Sequence, residues 1–365
     1  MSSTEELGLS AVAFEIIEHD LIMPFAIAGG GMATALAVIT TATLSDGTVG
    51  IGESAPFPAV SGETVDSTIE ILREFERTTA TLTPAERLNY VESTRVLGAF
   101  PHAPAAQCGL ELAVLDARLR SQGMSVLDWM PPQCRTITSD ITLPVGPVDQ
   151  ALGFVADVVS KGFTTLKVKI GGRALREDVD LLVSIHGAFP SLEIVLDANC
   201  AYDLATAREL LASLASAGIA IPLLEQPLSR ESLRDLATLQ ESTDVLICLD
   251  ESLKSVEDLD AICQFPSLRS VNFKTMKMGL GPTVVAIERA ADRGMVCMIG
   301  GMVETRLSMT VSAALAMRYP ETIRYVDLDT PFFMRPGPIA GGMVYEGPTI
   351  SIPDGLLGHG CALVH

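Results

Sequence analysis

The sequence predicts an α/β protein: a (β/α) barrel with a smaller α+β domain ahead of it. Short apolar runs recur along the chain, each closed at its C-terminal end by an ionisable residue or a glycine pair. Lys169, Asp197, Glu225, Asp250 and Lys274 close successive runs, at steps of 28, 28, 25 and 24 residues (197−169, 225−197, 250−225, 274−250). Stretches with helical apolar spacing, such as 207–214 and 229–239, lie between the runs. A strand-plus-helix unit at that period marks repeated β/α structure. Barrels built this way carry their chemistry at the C-terminal ends of the strands.

Taken in order, residues 11–57 read as a three-stranded antiparallel meander with two loops. Val12–Glu18 alternates loosely, Ala35–Thr43 is β-branched, Asp46-Gly47 supplies a turn and Val49–Glu53 resumes a strand. Between the first two strands, Pro24–Met32 is apolar and contains Gly29-Gly30-Gly31. No strand-Gly-x-Gly-x-x-Gly-helix order surrounds it, so it is not a phosphate-binding signal. It suits a flap closing over a site or an ordinary flexible loop. Residues 64–79, 84–97 and 104–119 have helical spacing. Residues 1–125 therefore form the α+β domain and 126–334 the barrel. The tail, 335–365, holds the short strand Thr349–Ile352 and many glycines, and is expected to pack back on the first domain.

Composition narrows the function. Of 365 residues, 48% are hydrophobic, ample for a large core. No apolar run reaches the roughly 18 residues a membrane span needs. Met1–Glu6 lacks the basic start of a signal peptide, so a cytoplasmic protein is expected. The net charge of −20, with no basic block, argues against a nucleic-acid partner. The seven cysteines are scattered and never spaced Cys-x-x-Cys, so they read as reduced thiols, not as a disulfide framework or a zinc site.

The chemistry centres on Thr165-Leu166-Lys167-Val168-Lys169-Ile170. Lys167 and Lys169 share one face of a strand. Two like charges side by side disfavour each other, so at least one lysine pKa is expected to fall toward neutrality, as a general base requires. The pattern also suits an edge strand with a solvated lysine face. Ile323–Val326 ends in Asp327-Leu328-Asp329, and Met295–Ile299 ends in Gly300-Gly301-Met302, where Met298 and Met302 are expected to line a pocket. Thr142 ends the first barrel strand, Ile141–Leu143, in a position that serves either a pocket or β-branched packing.

Together, Lys167-Val168-Lys169, Asp197-Ala198-Asn199, Glu225-Gln226-Pro227, Asp250-Glu251-Ser252 and Asn272-Phe273-Lys274 resemble the enolase superfamily, in its muconate lactonizing enzyme subgroup. The resemblance covers essentially the whole length. It implies a modified (β/α)7β barrel of TIM type with an N-terminal α+β capping domain. Members of this superfamily use a Lys or His base with magnesium. No histidine falls at a strand end here, so the His-based branches do not fit.

Asp327-Leu328-Asp329 is similar to the Asp-x-Asp of dipeptide epimerases, where the pair holds the dipeptide's α-ammonium group. The resemblance implies Mg²⁺ on Asp197, Glu225 and Asp250, an oxygen donor set that suits a hard cation. Lys169 and Lys274 become the two bases on opposite faces of the substrate, inverting its α-carbon through an enediolate. Lys167 stays charged and helps neutralise the substrate carboxylate, while Asn199 and Glu251 support the site from behind. Lys277 reads as structural. By position, Thr142 resembles a family threonine that contacts substrate.

Muconate cycloisomerisation, o-succinylbenzoate synthesis and N-acylamino acid racemisation share this scaffold. Their substrates carry no free amine for Asp327 and Asp329. A catalytically silent binding protein is a further alternative, which retention of both lysines and all three carboxylates opposes. Relatives acting on Ala-Glu carry a basic residue in the first flap, whereas no Lys or Arg lies between Leu21 and Val38. Phe25 and Ile27 are therefore expected to form an apolar wall, and the epimerised C-terminal residue to be apolar or aromatic, with cationic side chains as the alternative. A small-molecule dipeptide partner and a homo-oligomer complete the expectation.

Overall fold

The barrel strands are β1 (Ile141–Leu143), β2 (Thr165–Lys169), β3 (Glu193–Asp197), β4 (Leu223–Glu225), β5 (Leu246–Cys248), β6 (Asn272–Phe273), β7 (Cys297–Gly300) and β8 (Ile323–Asp327). They belong to a computed structural model that describes residues 6–27, 30–94, 103–144 and 147–364. The strands are short runs of Leu, Ile and Val because parallel strands are covered on both faces. β1 to β5 pair in order and in parallel, as do β6 to β8. Two seams close the ring. Leu249 N donates to Ser270 O and Asn272 N to Leu249 O between β5 and β6, and Asp140 N donates to Val326 O between β8 and β1.

A helix follows each of β1 to β7, whereas β8 runs into the 3₁₀ turn Thr330–Phe333, which makes the barrel (β/α)7β. The helix Leu204–Ser216 shows why these segments form as they do. Asp203 accepts from Thr206 N at its start, and Ala207, Leu210 and Leu214 make the buried stripe. The segment 229–239 differs from expectation in its first turn: Ser232 N bonds to Ser229 O, and the helix begins at Leu233.

Inside the barrel, Val195, Leu223, Cys248 and Met298 make a buried apolar layer. Two residues further along the same strands stand Asp197, Glu225, Asp250 and Gly300. Period-two alternation thus puts a polar layer directly above an apolar floor.

Ahead of the barrel, Leu9–Ile27, Gly30–Leu44 and Val49–Ser54 form an antiparallel sheet. Helices Val65–Thr79, Pro84–Thr94 and Pro104–Ser121 accompany it. The last helix lies unusually close to Val49–Ser54. A Cβ on Gly50 would come within 2.1 Å of Ala117 N, and one on Gly52 within 2.0 Å of Gly109 O. The Gly-rich flap extends the first hairpin, with Phe25 opposite Met32 and Ile27 opposite Gly30. In the tail, Thr349–Ser351 pairs with Val344–Glu346 and with Thr136–Thr138. His359 N donates to Asp116 Oδ1 and Arg120 Nη2 to Cys361 O, tying the tail to the helix Pro104–Ser121. No helix among the described residues is long and apolar enough to cross a membrane.

Candidate active site

Four lysines and the strand-end carboxylates interlock at the C-terminal mouth of the barrel. Lys167 Nζ lies 2.7 Å from Glu225 Oε2, 2.6 Å from Asp327 Oδ2 and 3.6 Å from Asp197 Oδ2. Lys169 Nζ donates to Asp197 Oδ2 at 2.9 Å and to Asn199 Oδ1 at 3.1 Å. Across the barrel, Lys274 Nζ donates to Asp250 Oδ2 at 2.7 Å. Lys277 holds the same carboxylate from behind, donating to Asp250 Oδ1 and O at 2.6 Å and to Asn272 O at 3.0 Å. Gly300 leaves room for this wall, since a Cβ there would stand 3.3 Å from Lys274 Cε.

Charge fixes the protonation. Burial raises the Asp197 carboxyl, but Lys169 and Lys167 outweigh it and pull it down to about 2. Burial lowers Lys167, yet Asp327, Glu225 and Asp197 hold it well above the usual lysine value. Lys274 is likewise raised, because Asp250 and Glu225 outweigh its burial. Of the Lys167–Lys169 pair, Lys167 is therefore not the lysine driven toward neutrality. For Lys167, the carboxylates brought in by β3, β4 and β8 override the like charge beside it.

Behind this layer, Asn199 Nδ2 donates to Glu251 Oε1 at 3.2 Å, so Glu251 reaches Lys169 through Asn199. Burial, then Asp250 and Asp197, push the Glu251 carboxyl up to about 7. Asn199, Cys200 and Gln226 have positive φ, a strained backbone gathered where β3 and β4 end. Gln226 Oε1 accepts from Asp250 N at 2.9 Å and Ser252 N at 3.1 Å, which ties that turn to the next. Thr142 N donates to Asp329 Oδ2 at 2.6 Å, so Thr142 holds Asp329 by its backbone. Burial and then Asp327 push Asp329 up to about 7.

The cavity is lined by Thr142, Lys167, Lys169, Asp197, Asn199, Asp250, Glu251, Lys274, Met302, Asp327 and Asp329. Glu225 sits beneath it, fully buried between Lys167 and Asn272, whose Nδ2 donates to Glu225 Oε1 at 2.7 Å. Met298 is a correction: it is fully buried in the apolar floor, one layer below the residues that face the cavity. Phe25 and Ile27 lie on the first hairpin, and their side chains fall outside the described residues. Phe57, Ala59 and Val60, on and beside the short helix Pro58–Ser61, complete the wall from the capping side. Sequence reading missed these, along with Gln226 and Asn272 as supports and the buried Asp140. The signal for Asp140 was present: it stands two residues before Thr142 and so shares its face.

Residues 12–130 match the N-terminal domain of mandelate racemase/muconate lactonizing enzyme, and residues 150–364 match the family described as enolase C-terminal domain-like. The chain belongs to the mandelate racemase/muconate lactonizing enzyme family. Within it, the chain is 36% identical over 97% of its length to an aromatic dipeptide epimerase from Herpetosiphon aurantiacus, covering 99% of that protein. A solved structure of a family member from the same organism superposes with TM-score 0.91 and 34% identity, covering 98% of this chain and 99% of that one. The dipeptide epimerase from Enterococcus faecalis, solved with Mg and L-Leu-L-Tyr, gives TM-score 0.88 and 26% identity over 97% and 99% of the two chains.

Charge decides which carboxylates suit a metal. Among the described residues, Asp140, Asp327 and Asp329 are three acids with oxygens within 4.8 Å of one another. Burial and like charge hold Asp140 well above the usual carboxylate range and Asp329 up at about 7, so that set keeps protons and makes a poor cation site. Asp197, Glu225 and Asp250 instead stand side by side on β3 to β5, their negative charge met by lysine ammonium groups. That all-oxygen anionic set fits Mg²⁺.

Proposed function

We propose that the protein is a Mg²⁺-dependent dipeptide epimerase, inverting the α-carbon of the C-terminal residue by proton transfer between Lys169 and Lys274. The observation that carries this reading is their placement. They end β2 and β6, four strands apart in an eight-stranded ring, and both line one cavity. A substrate carboxylate between them presents one face of its α-carbon to each amine. Asp197, Glu225 and Asp250 would hold the cation. When bound, Mg²⁺ stabilises the second negative charge that α-proton removal places on the substrate carboxylate.

The lysine that takes the proton must be neutral, and the one that returns it charged. The ammonium of Lys274 against Asp250 is ready to donate, and the roles exchange in the reverse direction. Lys167, kept charged by its carboxylates, lies where it can pair with the substrate carboxylate. Asp327 and Asp329 would receive the α-ammonium group, which N-acylated and muconate-type substrates lack.

The apolar preference is supported by Phe57, Ala59, Val60 and Met302. The cations lining the cavity, Lys167, Lys169 and Lys274, are each engaged by a carboxylate. An anionic substrate side chain would therefore lie against this wall without a free partner among the described residues. The aromatic dipeptide epimerase at 36% identity agrees with this reading. The same proposal extends to a homo-oligomer in the cytoplasm, for which family membership is the support. Light scattering tests the assembly.

The deciding experiment incubates a dipeptide library with the protein and Mg²⁺ in D₂O and follows mass shift, then compares kcat/KM for Ala-Phe, Ala-Glu and Ala-Lys. Exchange with apolar or aromatic C-terminal residues is expected. A clear preference for Ala-Glu overturns the specificity, and no exchange with any dipeptide overturns the function.

A further inference from the structure

Asp140 has no part in the scheme above. It is 4% exposed, and its Oδ1 has no hydrogen-bond partner among the described residues. One of its oxygens lies within 4.8 Å of an oxygen of Asp327 and of Asp329, and those two carboxyls meet the same limit with each other. The charged groups facing it are Asp327 and Asp329 at the end of β8, Lys167 on β2 and Glu225 on β4. Lys167 is the cation of that set, and it is shared with Glu225 and Asp197. One ammonium cannot neutralise so many buried carboxylates. Like charges at this spacing ionise as a unit and keep a proton among them. In agreement, burial and then Asp327 raise Asp140 well above the usual carboxylate range.

We propose that Asp140 is a positioning residue for the amine end of the substrate. It joins Asp327 and Asp329 in a three-carboxyl unit that keeps one proton in the free protein and gives it up when an ammonium group enters. One carboxyl O–H bond breaks, its electron pair stays on the oxygen, and the proton passes to solvent. The ammonium replaces the positive charge that leaves. The proposal rests on reading Asp327 and Asp329 as the amine-binding pair. It goes beyond that reading by coupling binding to pH through a residue that does not touch the ligand.

Asp140→Asn keeps the shape and removes one ionisable group. In the Mg²⁺-loaded free protein at about pH 6.5, the wild-type-minus-variant infrared difference should contain the C=O band of a buried protonated carboxyl. Binding is then measured with L-alanyl-α-aminoisobutyric acid, which has no α-proton on its C-terminal residue and cannot react. At about pH 6.5 its amine is already protonated. Calorimetry in two buffers of different ionisation heat should show about one proton released per ligand by the wild type and clearly less by the variant. The acid limb of affinity against pH should move to lower pH in Asp140→Asn, since removing one of three like charges lets the others ionise sooner. A merely structural Asp140 would leave proton release and that limb unmoved, which overturns the proposal. No release by the wild type at about pH 6.5 overturns it whatever the variant does. If the wild type binds this dipeptide at no pH, the dipeptide reading fails; the infrared difference still decides the retained proton, a missing band refuting it and a present one supporting it.

Discussion

Lys277 and Lys274 grip one carboxylate from two sides, and replacing each with methionine separates a lysine that holds the site from one that works in it. Lys277 is 2% exposed and donates to Asp250 Oδ1, Asp250 O and Asn272 O. Lys277→Met keeps the stem but strips a donor from one side of a buried carboxylate and from two buried carbonyls. Asp250 keeps Lys274, so the loss is one charge-assisted hydrogen bond, about 1.5–3 kcal/mol, plus about 1 kcal/mol for each carbonyl left with one donor fewer, about 3–5 kcal/mol together. An unfolding entropy of about 2.1 cal/mol/K per residue, over 365 residues, is about 0.77 kcal/mol/K. The Tm should therefore fall by about 4–7 °C. Lys274 donates to Asp250 Oδ2, and after its loss the carboxylate keeps Lys277. One charge-assisted hydrogen bond is worth about 1.5–3 kcal/mol, or a fall of about 2–4 °C. Activity should rank the other way: Lys274→Met abolishes epimerisation, while Lys277→Met retains turnover below its Tm. Calorimetric scans in EDTA and polarimetry of net epimerisation with Mg²⁺ supply the two rankings. Equal Tm losses, or a Lys277→Met protein within about 1 °C of wild type, would refute the assignment.

Lys169→Ala and Lys274→Ala should each abolish net epimerisation while sparing α-proton exchange with one epimer only; full epimerase activity in either variant contradicts two-base transfer. Asp327→Asn and Asp329→Asn should raise KM for dipeptides with a free amino terminus about 10- to 150-fold, from the loss of about 1.5–3 kcal/mol; equal turnover of N-acetylated and free dipeptides by the wild type would disprove the amine site. Asp329 also predicts a pH trend. Its carboxyl is raised from the model-peptide value of 3.8 to about 7, so between these the folded state holds a proton that the unfolded state has lost. Stability of the metal-free protein should fall as pH rises through that window, and Asp329→Asn should flatten the fall. Urea midpoints at about pH 5 and about pH 8 check it, and an unchanged slope in the variant rejects it.

The barrel was legible because its repeat is local. An apolar run, an ionisable residue and a helix recur, and the strand-end rule turns each run into one candidate side chain. Lys169, Asp197, Asp250 and Lys274 reach the cavity as that rule implies. Depth along the barrel axis was not legible. Met298 and Met302 look equivalent in sequence, yet Met298 lies in register with Asn272 and Tyr325, within the floor, while Met302 lines the cavity. Register is set by neighbouring strands, and no single strand reports it. Glu225 and Asp140 are likewise buried and absent from the cavity lining, Glu225 despite standing in register with Asp197.

Charge state was the other thing a single strand could not report. On its own strand, Lys167 has one charged neighbour, Lys169, and that neighbour predicts a lowered pKa. In the closed barrel, Asp327, 160 residues away in sequence, comes within 2.6 Å of it, and Glu225 within 2.7 Å. At such distances two opposite charges outweigh one like charge at strand spacing, even at an effective dielectric constant of about 20. The sign of the shift is thus a property of the closed ring. It follows that the carboxylates around Lys167 do two jobs. They hold one lysine charged, and they leave Lys169, which faces Asp197 and the neutral amide of Asn199, as the lysine on β2 with the lighter anionic load. In the proposed reaction, that asymmetry between two lysines on one strand face would let one of them steady an anion while the other exchanges a proton.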